Sequence, residues 1–111
     1  MPDWVSHFPA SITVIDPDGN IIEMNEKARA TYASEGGADL IGKSIYACHQ
    51  PQSEQRIRDM IATVGNHVYT IEQDGRKILI YQQAWQRDGE PGGVVEIALD
   101  LPPEIPHRVR S

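Results

Sequence analysis

The chain has 111 residues, 40% hydrophobic and 23% charged with both signs mixed, which fits one globular domain around one core and excludes a disordered polymer. A net charge of −6 argues against nucleic acid and anionic membrane surfaces as partners, because phosphate recognition needs clustered Lys and Arg. One cysteine cannot form an intramolecular disulfide, no apolar run approaches a membrane span, and MPDWVSHFPAS lacks a signal peptide's basic-then-apolar order, so a cytoplasmic protein is expected.

In chain order, Trp4, Val5 and Phe8 sit at i, i+1 and i+4 and predict a short helical cap over residues 1–10, ended by Pro9. SITVID (11–16) alternates as a strand. The turn signal Asp16-Pro17-Asp18-Gly19 returns it as a second strand over 21–24. Asn25 is an N-cap candidate for a short helix carrying Ala28, Ala30, Tyr32 and Ala33, broken by Gly36-Gly37. Residues 38–42 read as one helical turn ending in glycine. The strongest helical signal runs over 53–64, with Ile57, Met60, Ile61 and Val64 on one face, Ser53 as N-cap and Gly65-Asn66 as the stop. Strands over 67–73, 76–86 and 94–99 are separated by Asp74-Gly75 and Asp88-Gly89, which predicts a meander. Pro102, Pro103 and Pro106 keep 102–111 as an extended tail. The hairpin and the meander have to share one sheet, giving an α+β domain: a five-stranded antiparallel sheet with short helices and one longer helix packed on one face.

ITVIDPDGNIIEMNEKA, DLIGKSI and GGVVEIALDLP, in that order and spacing, resemble the PAS domain, a bacterial sensory module; the likeness runs from about residue 4 to 102, with the domain proper expected over 11–101. CHQPQS with GVVEIALD also resembles a PAS subgroup carrying a Cys-His-Pro-like motif. The resemblance implies a non-enzymatic sensory or signalling module that binds a small organic ligand or mediates protein–protein contacts. Flavin photochemistry is not expected, because Ile45 occupies the family's reactive-cysteine position and Cys48 lies three residues later. Haem-binding members use a histidine within the longer helix, and 53–64 has none. A haem or redox sensor using His49 or Cys48 is therefore the alternative, against a locally bonded loop histidine and a buried small hydrophobe. A ligand-free interaction domain is the third reading. His7, His49, His67 and His107 have no metal-ligand spacing, and no nucleophile elbow or phosphate loop occurs. Many PAS domains end in Asp-x-Thr before an output helix. Here Asp100-Leu101-Pro102 puts proline in the capping position, so a free-standing protein rather than a coiled-coil output is expected.

The candidate pocket takes Ile45, Tyr46, Ile57, Met60 and Ile61 from the helical side, with Cys48 and His49 beside them. Tyr81 and Trp85 come from 78–85 and Glu96 from 95–99; the same residues equally describe a filled core. Alternation groups Glu96 with Val94 and Ala98, opposite Val95, Ile97 and Leu99. Its face is expected to meet solvent or a partner subunit. If covered, Glu96 would instead orient a ligand or pair with His49. Trp4, Val5 and Phe8 are the expected homodimer surface, with a signalling protein as a further partner.

Overall fold

The computed structural model describes residues 1–47 and 51–111. A short helix, α1 (Asp3–Ser6), precedes the hairpin β1 (Ser11–Ile15) and β2 (Ile21–Met24). α2 (Glu26–Thr31) follows, then single 3₁₀ turns at Ala33–Glu35, Gly37–Leu40 and Ile45–Ala47. After them come α3 (Pro51–Thr63) and the meander β3 (Asn66–Gln73), β4 (Arg76–Arg87) and β5 (Glu90–Leu101). The strands form one antiparallel sheet in the order β2-β1-β5-β4-β3, with α2 and α3 on one face. None of the helices among the described residues is long and apolar enough to cross a membrane.

Local chemistry sets each element. At the first hairpin, Asp16 Oδ1 accepts from the Asp18 and Asn20 amides, closing the turn that Pro17 pre-shapes. Burial pushes the Asp16 carboxyl up, but the bonds from Asn20, Asp18 and Gly19 together outweigh it and hold the group below the ordinary carboxylate value. The two later turns carry positive φ at both central residues, Asp74 (53°) with Gly75 (75°) and Asp88 (52°) with Gly89 (81°). That is the type I′ geometry whose twist matches a hairpin. Asn25 caps α2 through Oδ1, which accepts from the Ala28 amide at 3.0 Å.

The longer helix begins two residues before its expected Ser53 cap. Pro51 takes a first-turn position, where its missing N–H costs no bond, and Ser53 falls inside the helix. Its end differs too: the left-handed residue is Val64 (φ 53°), with the Gly65 amide donating to Met60 O at 2.9 Å. A β-branched side chain is strained there, and Val64, 37% exposed, lies outside the core cluster. Val64→Gly is expected to raise stability by about 0.5–1 kcal/mol, the relieved strain exceeding glycine's extra chain entropy; urea denaturation of the two proteins checks this.

Register fixes the faces. Ser11, Thr13 and Ile15 lie opposite Ala98, Glu96 and Val94, which lie opposite Ile80, Gln82 and Ala84. These residues face the helices, where Ile15, Ile21, Met24, Ala28, Ile57 and Met60 belong to the buried core. Ile12, Val14, Val95, Ile97, Leu99 and Tyr81 alternate onto the other face.

Candidate functional site

The helix-covered face is largely apolar, and its polar residues gather most clearly at one level. There the register aligns Thr13 on β1, Glu96 on β5, Gln82 on β4 and His67 on β3 as a polar row across four strands. Apolar residues flank it on β5 and β4: Val94 and Ala84 on one side, Ala98 and Ile80 on the other. Above the row is a cavity of about 360 Å³. Thr13, Glu96 and Gln82 line its sheet side, and Ile45, Ile57 and Leu40 line its helical side. The segment before α3 is held there by backbone bonds to the first hairpin: Gly42 N–H to Ile21 O, Ile21 N–H to Lys43 O, and Ile45 N–H to Gly19 O. These bonds bring Lys43, Ser44 and Ile45 to the cavity wall.

Glu96 sits in the middle of the row. Its Oε1 accepts from the Tyr32 hydroxyl at 3.0 Å and its Oε2 from the Gln82 amide at 2.8 Å. Tyr32 is aimed by the end of α2: its amide donates to Ala28 O and its carbonyl accepts from the Gly37 amide. The Thr13 hydroxyl is buried and has no hydrogen-bond partner among the described residues. Burial, then the adjacent Glu96 carboxylate, pushes the Tyr32 hydroxyl well above the ordinary tyrosine value of 10.0. Burial and Glu96 also raise Tyr69, against an opposing effect of Arg56.

A raised folded value means that the native state keeps these protons after the unfolded chain has lost them. The stabilisation is complete below the unfolded tyrosine value of 10.0 and is lost as pH rises from there toward the folded value. Stability is therefore expected to hold level up to about pH 10 and then fall, less steeply in Tyr32→Phe. Denaturant titrations at increasing pH, with tyrosinate absorbance as the second probe, test this.

Of the expected pocket residues, the structure brings Ile45, Ile57 and Glu96 to the cavity. Glu96 corrects the expectation that its side chain meets solvent or a partner subunit: its face is the covered one. Its bonding partners are Tyr32 and Gln82. Tyr81 and Trp85 are corrected the other way. They alternate onto the face away from the helices, where Tyr81 bonds Gln83 and Trp85 lies against Gly92. Met60 is buried in the core without lining the cavity, and Ile61 lines a separate depression with Pro17 and Arg58. Tyr46 packs its ring on Gly19, beneath the Arg58 guanidinium at 4.2 Å. Cys48 and His49, and every reading built on them, lie outside the described residues.

Sequence reasoning missed Thr13, Tyr32 and Gln82. The available signal was a polar residue in mid-strand at Thr13 and Gln82, as at Glu96, but only strand register lines them up.

Three solved structures with similar folds locate the chain among known proteins. The Aer2 receptor from Vibrio cholerae, described as a dual PAS-heme oxygen sensor, is 18% identical with a TM-score of 0.63, over 84% of this chain and 95% of that one. The PAS domain of an HTR-like protein from Haloarcula marismortui is 19% identical with a TM-score of 0.62, over 88% and 86%. VqmA bound to DPO is 16% identical with a TM-score of 0.65, over 88% of this chain but 54% of that one. No curated protein matches the chain. A family model described as the PAS fold matches residues 5–102. With the hairpin, helices and meander in the order that fold requires, the chain belongs to the PAS-fold family.

Proposed function

We propose that this PAS-fold module is a non-enzymatic sensor that takes a small organic molecule into the cavity between α3 and the sheet. The observation that carries the reading is the space of about 360 Å³ set on a polar row within a mainly apolar wall. Its size lies toward the lower end for small-molecule sites, and its mix of apolar wall and few polar groups is what such sites use. Native mass spectrometry of freshly purified protein is expected to show a retained small molecule, or a thermal-shift screen to find one that raises the melting temperature. A protein that is empty and unresponsive to a broad library would favour the ligand-free interaction domain.

The signal would leave through contacts in the cytoplasm, with a second copy as first partner and a signalling protein as a further one. Trp4 is 70% and Phe8 46% exposed; their rings meet edge-to-face at 6.5 Å on α1 and its C-terminal flank. Burial of such side chains is worth about 1.5–3 kcal/mol each, which favours homodimerisation through this patch. Val5 is half-buried beside them. Light scattering after size exclusion is expected to give a dimer that Trp4→Ala/Phe8→Ala dissociates; a monomeric wild type overturns it. The haem or redox alternative on His49 or Cys48 draws support from the Aer2 receptor's description, and a Soret band after reconstitution with haemin would favour it.

A further inference from the structure

We propose that the cavity selects a small, largely apolar molecule with one N–H-donating head, an amine, amidine or aminoheterocycle, bound by the Glu96 carboxylate and the Thr13 hydroxyl. This rests on the reading that the cavity is a ligand site and names the chemistry of what enters it.

The first argument is the unmatched acceptor capacity of Glu96. A carboxylate offers about four lone-pair directions and no donor. Among the described residues each oxygen receives a single donor, Tyr32 on Oε1 and Gln82 on Oε2. Both donors hold the carboxylate in place while leaving it accepting capacity beside the cavity that Glu96 lines.

The second argument is independent of the first. The Thr13 hydroxyl, on the neighbouring strand and paired in register with Glu96, is buried without a partner among the described residues. Buried polar side-chain atoms are mostly satisfied, and directly opposed side chains on antiparallel strands stand roughly 5 Å apart at Cβ. Thr13 and Glu96 therefore place two hydrogen-bonding groups with spare capacity side by side in the cavity wall. An amidine or amine supplies donors to Glu96 and lets Thr13 bond the same nitrogen-bearing group.

The rest of the wall sets the body of the molecule. Ile15, Ile21, Met24, Ile57 and Val94 offer no polar contact, so it is a compact hydrocarbon or aromatic frame. A carboxylate or phosphate head would meet the acceptor-only Glu96 and is disfavoured by like charge. Lys43, Glu35 and Ser44 also line the cavity; the two charged residues are exposed and of opposite sign and Ser44 Oγ already accepts from the Tyr46 amide, so they leave the preference at the polar row unchanged.

Three probes of similar shape test it by calorimetry: benzamidine, benzyl alcohol and benzoate. Benzamidine is expected to bind most tightly. Glu96→Gln should weaken it by about tenfold or more and Thr13→Val several-fold, with little effect of Glu96→Gln on benzyl alcohol. Benzoate binding as tightly as benzamidine, or benzamidine indifferent to both substitutions, overturns the head-group assignment while leaving a ligand cavity standing. Failure of all three probes to bind overturns the cavity reading as well. Circular dichroism verifies the fold of each variant, and the near-isosteric Thr13→Val keeps the test decisive if Glu96→Gln does not fold.

Discussion

Asn25→Asp is expected to cost about 3–5 kcal/mol at neutral pH, although it exchanges one atom for another of nearly the same size. Asn25 has 0% exposure and joins three elements. Its Oδ1 accepts from the Ile12 and Ala28 amides, each at 3.0 Å. Its Nδ2 points at three carbonyls, Ala10 at 2.8 Å, Val5 at 3.1 Å and Phe8 at 3.4 Å. A carboxylate oxygen in that place would face three acceptors with no proton to offer, and the Arg29 guanidinium nearby is directed to the Asn25 backbone carbonyl. The pH signature separates this from simple loss of a cap. Burial raises the introduced carboxyl's folded value above its unfolded value of about 3.9, so the native state keeps the proton and regains one donor. The penalty is therefore smallest below about pH 4 and grows as pH rises. Asn25→Ala should lose a comparable amount with no such dependence. Urea denaturation of both variants across that range decides the matter.

Gly93→Ala is the second large effect. Gly93 lies in the central strand β5 with φ at 123°, a region that L side chains rarely adopt. A Cβ there would overlap the Ile15 carbonyl oxygen and stand 3.0 Å from Ile15 C and 3.1 Å from Asp16 C. Those atoms are backbone at the end of β1, whose pairing with β5 holds the two halves of the sheet together. Relief requires moving one strand against the other, so a loss of about 3 kcal/mol or more is expected. In a domain of this size that lowers the melting temperature by roughly 12 °C or more. Gly89→Ala is the control. Its φ is also positive, 81°, but nothing lies within 4 Å of the added Cβ, so only the backbone cost, about 1–2 kcal/mol, should appear.

The fold was legible because its signals are local. Asp16-Pro17-Asp18-Gly19, Asn25 and the two Asp-Gly pairs each fix a turn or cap through their own backbone chemistry, and each stands where the sequence placed it. Helix α3 was visible from the spacing of Ile57, Met60 and Ile61, while its ends were displaced by Pro51 and Val64, which act through backbone angles rather than polarity. The site was less legible because it depends on facing. On β5 the more apolar set, Val95, Ile97 and Leu99, lies away from the helices, and all three are half-buried there. Hydrophobicity alone therefore pointed to the wrong face and sent Glu96 outward. Thr13 and Gln82 join Glu96 through strand pairing across long sequence separations, which no local pattern encodes.

The position of β5 between β1 and β4 also bears on how the protein is made. The first hairpin is synthesised well before its sheet neighbour, which is the last strand of the fold. Until Val94–Ala98 arrives, Ile12 through Ile15 have an open edge and no strand to close it. A chain ending at Gly89 should accordingly be protease-sensitive and recruit chaperones, and a chain extending through Leu101, once free of the ribosome, should lose that vulnerability in one cooperative step.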